Sequence, residues 1–267
     1  MKKALSLVSF LKEKIRENNL IILLCDFDGT LSTIVADPEQ AYIQPEIRLS
    51  LQKFKNENTF LGFISGRDIK DLKERVDLNN VIYAGDHGMH INYFGKDYIP
   101  SNKLIVFKET KNNCFQNIKD KLKKFTGVYL EDKEFNISIH YRNLSLENID
   151  SFKNITNKLI NKYKGFFKVT YGKKLIEFRP PINWNKGNAV QWIKNKILLE
   201  TKKDNYFIIY IGDDITDEDV FSSFNLKHEI GIKVLSPENK AETAANYYLN
   251  SVDEAAVFLS ELSNYKL

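Results

Sequence analysis

The chain has few cysteines, no long apolar run and little excess charge of either sign. Its 267 residues include 2 cysteines, which excludes a disulfide framework or a cysteine zinc site. We interpret Cys25 and Cys114 as free thiols, and we therefore expect a reducing, cytoplasmic location. No apolar run approaches the roughly 18 residues that a bilayer-spanning helix needs, so we expect no membrane association.

The charges are also close to balanced. The 39 Lys and Arg residues and 35 Asp and Glu residues give a net charge of +4, and both kinds are spread along the chain. A nucleic-acid-binding face would concentrate the positive excess, so we expect no nucleic-acid partner. The first 18 residues predict an amphipathic helix rather than a signal peptide, because charged residues and no cleavage site follow the apolar stretch. A hydrophobic content of 43% is typical of a globular protein with a core.

The stretch around which the rest of the chain is organised has the sequence IILLCDFDGTLS, at residues 21–32. Its five apolar residues predict a short strand buried on both faces, and Gly29 breaks that strand. Asp26 and Asp28 point into one space, because side chains two apart on a strand face the same way. We interpret Asp26 as a nucleophile and magnesium ligand, and Asp28 as the general acid and base. Two solvated aspartates at a turn are the alternative.

A second predicted strand, residues 59–64, ends in Ser65, Gly66 and Arg67. A hydroxyl, a glycine and a cation at a strand-to-helix junction suit a phosphate, because the first amides of a helix are unpaired donors. Ser65 would hydrogen-bond a phosphate oxygen, and a plain N-cap is the alternative. A third strand runs into the sequence GDHG at 85–88, whose two glycines indicate a tight loop around His87.

Two later stretches add a cation and more carboxylates. Lys186 stands at the start of a predicted helix and can project its ammonium over the strand ends. The apolar strand at 207–211 ends in GDDITD, and such a density of acid is electrostatically unfavourable unless a cation is bound. We expect Asp213 to bind magnesium directly, with Asp214 or Asp217 supporting through water or lysine. A solvated turn is the less favoured alternative.

The alternation of strands and helices in the outer segments predicts an α/β fold with a doubly wound, Rossmann-like parallel sheet. Residues 92–181 differ, because their strands alternate between apolar and polar residues. We interpret them as an inserted α+β cap domain, with residues 1–91 and 182–267 forming the core. On the residues alone, the polar face of the cap sheet is more simply a solvated surface than a substrate site. Its candidate substrate groups are Glu131, Lys133, His140, Arg142, Glu177 and Arg179.

The sequences DFDGTLS, SGR, KG and GDDITDED occur in the order of the four motifs of the haloacid dehalogenase superfamily of aspartyl-phosphate phosphatases, and they resemble them. The insertion resembles the second type of cap in that superfamily. The resemblance is closer to trehalose-6-phosphate phosphatases, whose Gly-Glu-His-Gly loop is matched at 85–88 with Asp86 in place of Glu. Their cap pattern of Glu-x-Lys, His-Tyr-Arg and Glu-x-Arg-Pro is matched at 131–133, 140–142 and 177–180.

This resemblance implies Mg²⁺-dependent hydrolysis of trehalose 6-phosphate through an aspartyl-phosphate intermediate, with a separate trehalose-6-phosphate synthase supplying the substrate. The catalytic residues that it implies are Asp26, Asp28, Ser65 and Lys186. The metal site that it implies consists of Asp26, Asp28, Asp213, Asp214 and Asp217. The implied substrate-binding residues are Thr30, Arg67, His87, Glu131, Lys133, His140, Arg142, Glu177 and Arg179.

Two alternatives remain at this point. A phosphatase of the same superfamily acting on mannosyl-3-phosphoglycerate, sucrose phosphate or a hexose phosphate would share the core chemistry, so only the cap discriminates. Glu131 and Glu177 favour a hydroxyl-rich, less acidic sugar. A non-catalytic phosphoacceptor or binding domain would also place an aspartate after a strand, but it needs neither Asp28 nor an inserted cap.

Overall fold

The computed structural model describes residues 1–17, 20–35, 37–54, 58–172, 174–236 and 242–264. The strands in these ranges are β1 (Lys2–Lys3), β2 (Leu20–Cys25), β3 (Thr59–Ile64), β4 (Ile82–Gly85), β5 (His90–Tyr93), β6 (Lys96–Tyr98), β7 (Tyr129–Asp132), β8 (Ile137–His140), β9 (Lys168–Gly172), β10 (Leu175–Arg179), β11 (Tyr206–Gly212), β12 (Glu229–Val234) and β13 (Tyr247–Leu249). The α-helices are α1 (Val8–Arg16), α2 (Pro45–Phe54), α3 (Ile69–Val76), α4 (Asn102–Leu122), α5 (Ile149–Lys162), α6 (Lys186–Thr201), α7 (Glu218–Phe221) and α8 (Val252–Ser263). Within the described ranges, none of these helices is both long and apolar enough to cross a bilayer.

The chain divides into two compact units. The larger unit comprises Met1–Tyr98 and Trp184–Leu267, and the smaller unit comprises Ile99–Asn183. The expected boundary at residue 92 differs from this division, since it falls inside β5. Because β5 pairs antiparallel with β4, and β6 with β5, both strands extend the sheet of the larger unit as far as Tyr98.

The larger unit is built on a nine-stranded sheet in the order β1-β13-β12-β11-β2-β3-β4-β5-β6. The pairs from β1 to β4 are all parallel. β2 lies at the centre, and its six residues LIILLC are all buried. Leu23 packs in the core on one face of the sheet and Leu24 in the core on the other. The predicted α/β fold with a doubly wound parallel sheet is confirmed.

Helix termini in the larger unit carry the capping groups that fix where each helix begins. The Asp68 side chain accepts a hydrogen bond from the Lys70 amide at the start of α3. Asn185 and Asn188 form a reciprocal capping box at the start of α6. These caps satisfy amides that the helix itself leaves unpaired, so they hold the first turns of α3 and α6 in place.

The smaller unit contains a four-stranded antiparallel sheet in the order β7-β8-β10-β9. Ile137, Ile139 and Phe178 are buried in its core, which agrees with the alternation in the sequence. The polar face is less exposed than the alternation predicts, because Ser138 is also fully buried. α4 begins at Asn102, and the Ser101 side chain caps it.

Candidate active site

The candidate site lies at the carboxyl ends of three neighbouring parallel strands in the larger unit. At the end of β2, Cys25 pairs with Ile211 of β11 on one side and with Phe63 of β3 on the other. Residues that follow these strand ends are therefore brought to one edge of the sheet, where ligands bind in such folds. The residues in question are Asp26 after β2, Ser65 after β3 and Asp213 after β11.

Three buried carboxylates converge at this edge. Oxygen atoms of Asp26, Asp213 and Asp217 all lie within 4.8 Å of one another. Gly29 allows this approach, because a Cβ atom at its position would overlap the Asp213 carboxylate and because its φ of +78° favours glycine. The Thr30 hydroxyl donates to Asp213 Oδ1 over 3.4 Å. The loop after β2 therefore helps to set the position of Asp213.

A buried lysine lies among these acids. Lys186 Nζ donates to Asp26 Oδ1 and to Asp217 Oδ1, each over 2.8 Å. It also lies 3.9 Å from Asp214 Oδ1. Burial lowers the pKa of Lys186, but the charges of Asp217 and Asp26 outweigh burial and hold that pKa above its ordinary value. The ammonium therefore stays charged beside Asp26.

The Asp217 carboxylate is fully engaged by the protein. Its Oδ1 accepts hydrogen bonds from Lys186 Nζ at 2.8 Å and from the Tyr210 hydroxyl at 2.6 Å. Its Oδ2 accepts from the amides of Asp213 at 2.9 Å and Asp214 at 3.0 Å. A carboxylate offers about four acceptor positions, so a direct bond to a metal ion would displace one of these four donors. The expectation that Asp214 or Asp217 supports the metal site through water or lysine stays a prediction, and Asp217 Oδ1 does contact Lys186.

The carboxylates differ in how readily they ionise. Burial raises the pKa of Asp26 well above its ordinary value, Lys186 lowers it, and the charges of Asp217 and Asp213 raise it further. Burial, with the charges of Asp217 and Asp214, raises the pKa of Asp213 to about 7. Burial also tends to raise the pKa of Asp214. Lys186 and hydrogen bonds from its own loop outweigh burial and lower that pKa to about 2. Carboxylates of raised pKa at one point are a fit for a bound cation, since oxygen ligands are those that Mg²⁺ prefers.

Asp28 does not join this group. Its two oxygens accept from Arg67 Nε at 2.7 Å and from a terminal nitrogen of Arg67 at 2.6 Å, a bidentate pair. Arg67 also donates to Asp71, and Arg75 binds the other oxygen of Asp71. Both side-chain oxygens of Asp28 bind Arg67 in this structure, and the expected place of Asp28 in the metal site stays a prediction.

Ser65 and His87 lie together at the ends of β3 and β4. Ser65 is buried, its hydroxyl accepts from the Arg67 amide at 3.1 Å, and its carbonyl accepts from the His87 amide at 2.8 Å. Gly66 leaves room for the imidazole, because a Cβ atom there would lie 2.9 Å from His87 Cε1. Asp86 and His87 adopt positive φ angles of 49° and 57°, a strained conformation for both residues. The GDHG sequence is therefore a tight loop, as its glycines indicate.

In the smaller unit, the candidate substrate groups fall on one row of the sheet and beside it. Glu131 of β7 pairs with Ser138 of β8, which pairs with Glu177 of β10. His140 Nε2 lies 3.1 Å from Glu131 Oε2. Arg179 Nε lies 3.3 Å from Glu177 Oε2. The sheet thus aligns two carboxylates, and a histidine or arginine side chain lies close to each of them.

The two remaining candidates of the smaller unit lie outside its strands. Lys133 follows β7 and lies 3.8 Å from Glu131 Oε2. Arg142 lies two residues beyond the end of β8 and is exposed.

Several residues that shape these sites escape sequence reasoning. Tyr210 reads as one more apolar residue of a buried strand, and nothing in the pattern shows its hydroxyl on Asp217. Thr170 donates to Glu177 Oε2 over 3.4 Å, but its place on that row follows only from the register of β9 against β10. Asp71 lies on the helix after SGR, and its i,i+4 spacings to Arg67 and Arg75 are the available signal.

The chain is similar to known proteins over most of its length. A model of the trehalose-phosphatase family matches residues 24–253. A probable trehalose-phosphate phosphatase H from Arabidopsis thaliana is 30% identical over 262 residues, which cover 94% of this chain and 74% of that protein. A trehalose-phosphate phosphatase from Mycobacterium tuberculosis is 31% identical over 239 residues, which cover 89% of this chain and 60% of that protein.

The fold is likewise similar to known structures. The C-terminal domain of a Candida albicans trehalose-6-phosphate phosphatase matches with a TM-score of 0.71, over 97% of each chain and at 24% identity. The resemblance based on the motifs in the sequence is confirmed by the family match and the relatives.

Proposed function

Because this chain belongs to the trehalose-phosphatase family, we propose that it hydrolyses trehalose 6-phosphate to trehalose and inorganic phosphate. The family match makes it a phosphoric monoester hydrolase. The observation that carries the proposal is the convergence of Asp26, Asp213 and Lys186 at the end of β2. A nucleophile, an acidic oxygen ligand and a fixed cation in contact are the groups that phosphoryl transfer to a carboxylate requires.

Asp26 is the nucleophile in this proposal. Its carboxylate oxygen attacks phosphorus, the bond from phosphorus to the sugar oxygen breaks, and an aspartyl phosphate forms. Lys186 holds Asp26 Oδ1 at 2.8 Å and offsets the repulsion between an anionic attacker and an anionic phosphate. The Ser65 hydroxyl at the neighbouring strand end binds a phosphoryl oxygen.

Asp26 and Asp213 would hold Mg²⁺, with Asp214 supporting. When bound, the ion supplies positive charge that neutralises the phosphoryl oxygens and the buried carboxylates. The support for this fit is that burial, together with the charges of neighbouring acids, raises the pKa values of Asp26 and Asp213, so a cation there would favour their ionised forms. Asp217 would support this site by binding Lys186 rather than by binding the ion.

Asp28 carries protons. It gives a proton to the departing sugar oxygen, and in the second half of the reaction it takes one from the water that attacks the aspartyl phosphate. Both steps need a free oxygen on Asp28, so its bidentate pair with Arg67 has to loosen during turnover. Arg67 is then released to bind substrate, the role that the resemblance implies for it.

In this proposal the smaller unit is the cap that recognises the sugar. Glu131 and Glu177 accept hydrogen bonds from glucose hydroxyls, while the neighbouring cations bind sugar oxygens. The support is the alignment of these two carboxylates across Ser138 in one row of the sheet. The proposed cations are Lys133, His140, Arg142 and Arg179. Thr30 and His87 are the proposed substrate contacts of the larger unit.

The test is release of inorganic phosphate from a panel of substrates in the presence of Mg²⁺. The panel comprises trehalose 6-phosphate, sucrose 6-phosphate, glucose 6-phosphate, mannosyl-3-phosphoglycerate and p-nitrophenyl phosphate. We expect a strong preference for trehalose 6-phosphate, abolished by EDTA. Equal activity on all five substrates would support a phosphatase but contradict its preference for trehalose 6-phosphate. If folded protein released no phosphate from any of them, the proposed phosphatase activity would be wrong.

We also propose that a separate synthase supplies trehalose 6-phosphate in the cytoplasm. Cys25 and Cys114 are free and buried, as expected for a protein of a reducing compartment. Fractionation of cells that express a tagged copy of the chain tests its location. Accumulation of trehalose 6-phosphate in cells from which the protein has been deleted tests whether those cells supply this substrate.

A further inference from the structure

Tyr210 is a fully buried tyrosine of β11 whose hydroxyl lies close to the proposed reacting groups. It is 0% exposed, and its hydroxyl donates to Asp217 Oδ1 over 2.6 Å. Burial and the neighbouring charge of Asp217 raise the pKa of Tyr210 well above its ordinary value. The hydroxyl therefore keeps its proton and acts only as a donor to Asp217.

The hydrogen bond from Tyr210 is one of several that hold the Asp217 carboxylate in place. Asp217 Oδ2 is fixed by the amides of Asp213 and Asp214, and Asp217 Oδ1 is fixed by the Tyr210 hydroxyl. Gly212 makes room for this carboxylate, because a Cβ atom at its position would overlap Asp217. Because both oxygens of Asp217 accept hydrogen bonds, rotation of its carboxylate is restrained, and this orientation of Oδ1 is favoured.

That fixed oxygen also binds the lysine that touches the nucleophile. Lys186 Nζ lies 2.8 Å from Asp217 Oδ1 and 2.8 Å from Asp26 Oδ1. A lysine ammonium is a flexible point charge, so its place depends on the acceptors around it. If Asp217 Oδ1 moved, Lys186 would lose one of the two contacts that define its position.

We infer that Tyr210 is a positioning residue, which orients Asp217 and through it holds Lys186 on the Asp26 nucleophile. Tyr210 itself touches neither Asp26 nor the substrate in this assignment. Its contribution is to the geometry of Lys186, so it should affect turnover more than substrate affinity. The inference rests on the proposed function only for its kinetic readout.

The test compares Tyr210→Phe with Tyr206→Phe, in the full chain. Tyr206 is a matched control on the same strand, since its hydroxyl donates to the buried Glu229 over 3.3 Å and has no contact with Lys186. We expect kcat on trehalose 6-phosphate to fall roughly tenfold in Tyr210→Phe, as for loss of a hydrogen bond to a charged group, with KM nearly unchanged. Tyr206→Phe should retain the wild-type kcat. Equal effects of the two variants would overturn the assignment.

A second readout needs no substrate. The ¹H–¹⁵N signal of the Lys186 ammonium, identified by its loss in Lys186→Arg, should shift or broaden in Tyr210→Phe and stay unchanged in Tyr206→Phe. An unchanged signal in Tyr210→Phe would refute the inference even if kcat fell. If the signal changes but wild-type protein releases no phosphate, the proposed function fails while the positioning role stands.

A double-mutant cycle separates positioning from a general structural effect. Because Tyr210 acts through Asp217, adding Tyr210→Phe to Asp217→Asn should lower kcat little beyond Asp217→Asn alone. Additive losses would show that Tyr210 acts by another route. Asp217→Asn by itself must also shift the Lys186 signal, so an unchanged signal in that variant would refute the inference whether or not Tyr210→Phe folds.

Discussion

Burial and the neighbouring acids disfavour the ionised form of the Asp26 carboxylate, whereas Lys186 beside it favours that form. Asp26→Asn keeps the size of the side chain but removes the attacking oxygen, so we expect turnover of trehalose 6-phosphate to fall by at least about a thousandfold. The melting temperature should stay within a few degrees of wild type, because Lys186 keeps its partner Asp217. Phosphate-release kinetics and thermal unfolding check both points. Substantial residual turnover by Asp26→Asn would remove Asp26 as the nucleophile.

Asp213 gives a pH dependence whose sign follows from its pKa of about 7. Because this folded-state pKa is raised above the unfolded value, the metal-free protein should lose stability as pH rises from about 4 to 7. Mg²⁺ binds the ionised carboxylate, which grows from about a tenth of the population at pH 6 to about nine tenths at pH 8. We expect Mg²⁺ to bind roughly tenfold more tightly at pH 8 than at pH 6.

Thermal unfolding with and without Mg²⁺ at the two pH values measures this difference. In Asp213→Asn, the part of this pH dependence that comes from Asp213 should be lost, so the difference between pH 6 and pH 8 should shrink. Equal Mg²⁺ stabilisation of the wild-type protein at pH 6 and pH 8 would contradict the assignment of Asp213 as a metal ligand.

The loop after β2 shows how an element fixes a site through one backbone conformation. Gly29→Ala combines a φ of +78° with overlap of the new Cβ atom and the Asp213 carboxylate. Gly95→Ala is its control, since Gly95 has a φ of +90° and no atom beyond its own chain neighbours lies within 4 Å of the added Cβ. We expect each substitution to cost about 1 kcal/mol of unfolding free energy through backbone strain. Only Gly29→Ala should also weaken Mg²⁺ binding and turnover.

Urea unfolding and Mg²⁺ titration of the two alanine variants separate these effects. If Gly95→Ala impaired Mg²⁺ binding as much as Gly29→Ala, the close approach of Gly29 to Asp213 would have no special role.

Elements that are continuous and buried were the predictable ones. β2, β3 and β11 are short apolar runs that end in Asp or Ser, so both the strands and the groups at their ends follow from the pattern. β13 has only three residues, and β5 and β6 form an antiparallel extension of the sheet. None of these three strands gives a strong periodic signal in the sequence. The pairing of Asp28 with Arg67 could not be predicted, because side-chain orientation beyond a strand depends on tertiary contacts.

At the scale of the whole molecule, two compact units divide the proposed chemistry from the proposed recognition. Glu131→Ala and Lys133→Ala should raise KM or lower kcat for trehalose 6-phosphate by about tenfold or more, because each removes a charged hydrogen-bonding group. Hydrolysis of p-nitrophenyl phosphate should change little, since that substrate has no sugar. Lys108→Ala is a control in the same unit, as it removes only an exposed ion pair with Glu134.

Steady-state kinetics on both substrates measures the selectivity. Equal losses on trehalose 6-phosphate and p-nitrophenyl phosphate in Glu131→Ala would exclude a role of that side chain in sugar recognition.

The central place of β2 has a consequence for how the protein is made. Leu20 of β2 pairs with Tyr206 of β11, a partner that the ribosome synthesises only after the whole of the smaller unit. Contacts between such distant parts of a chain slow folding. During vectorial synthesis Asp26, the proposed nucleophile, precedes the smaller unit, but Lys186, Asp213 and Asp217 follow it. A nascent chain therefore carries no assembled site until β11 and the residues that follow it have been synthesised.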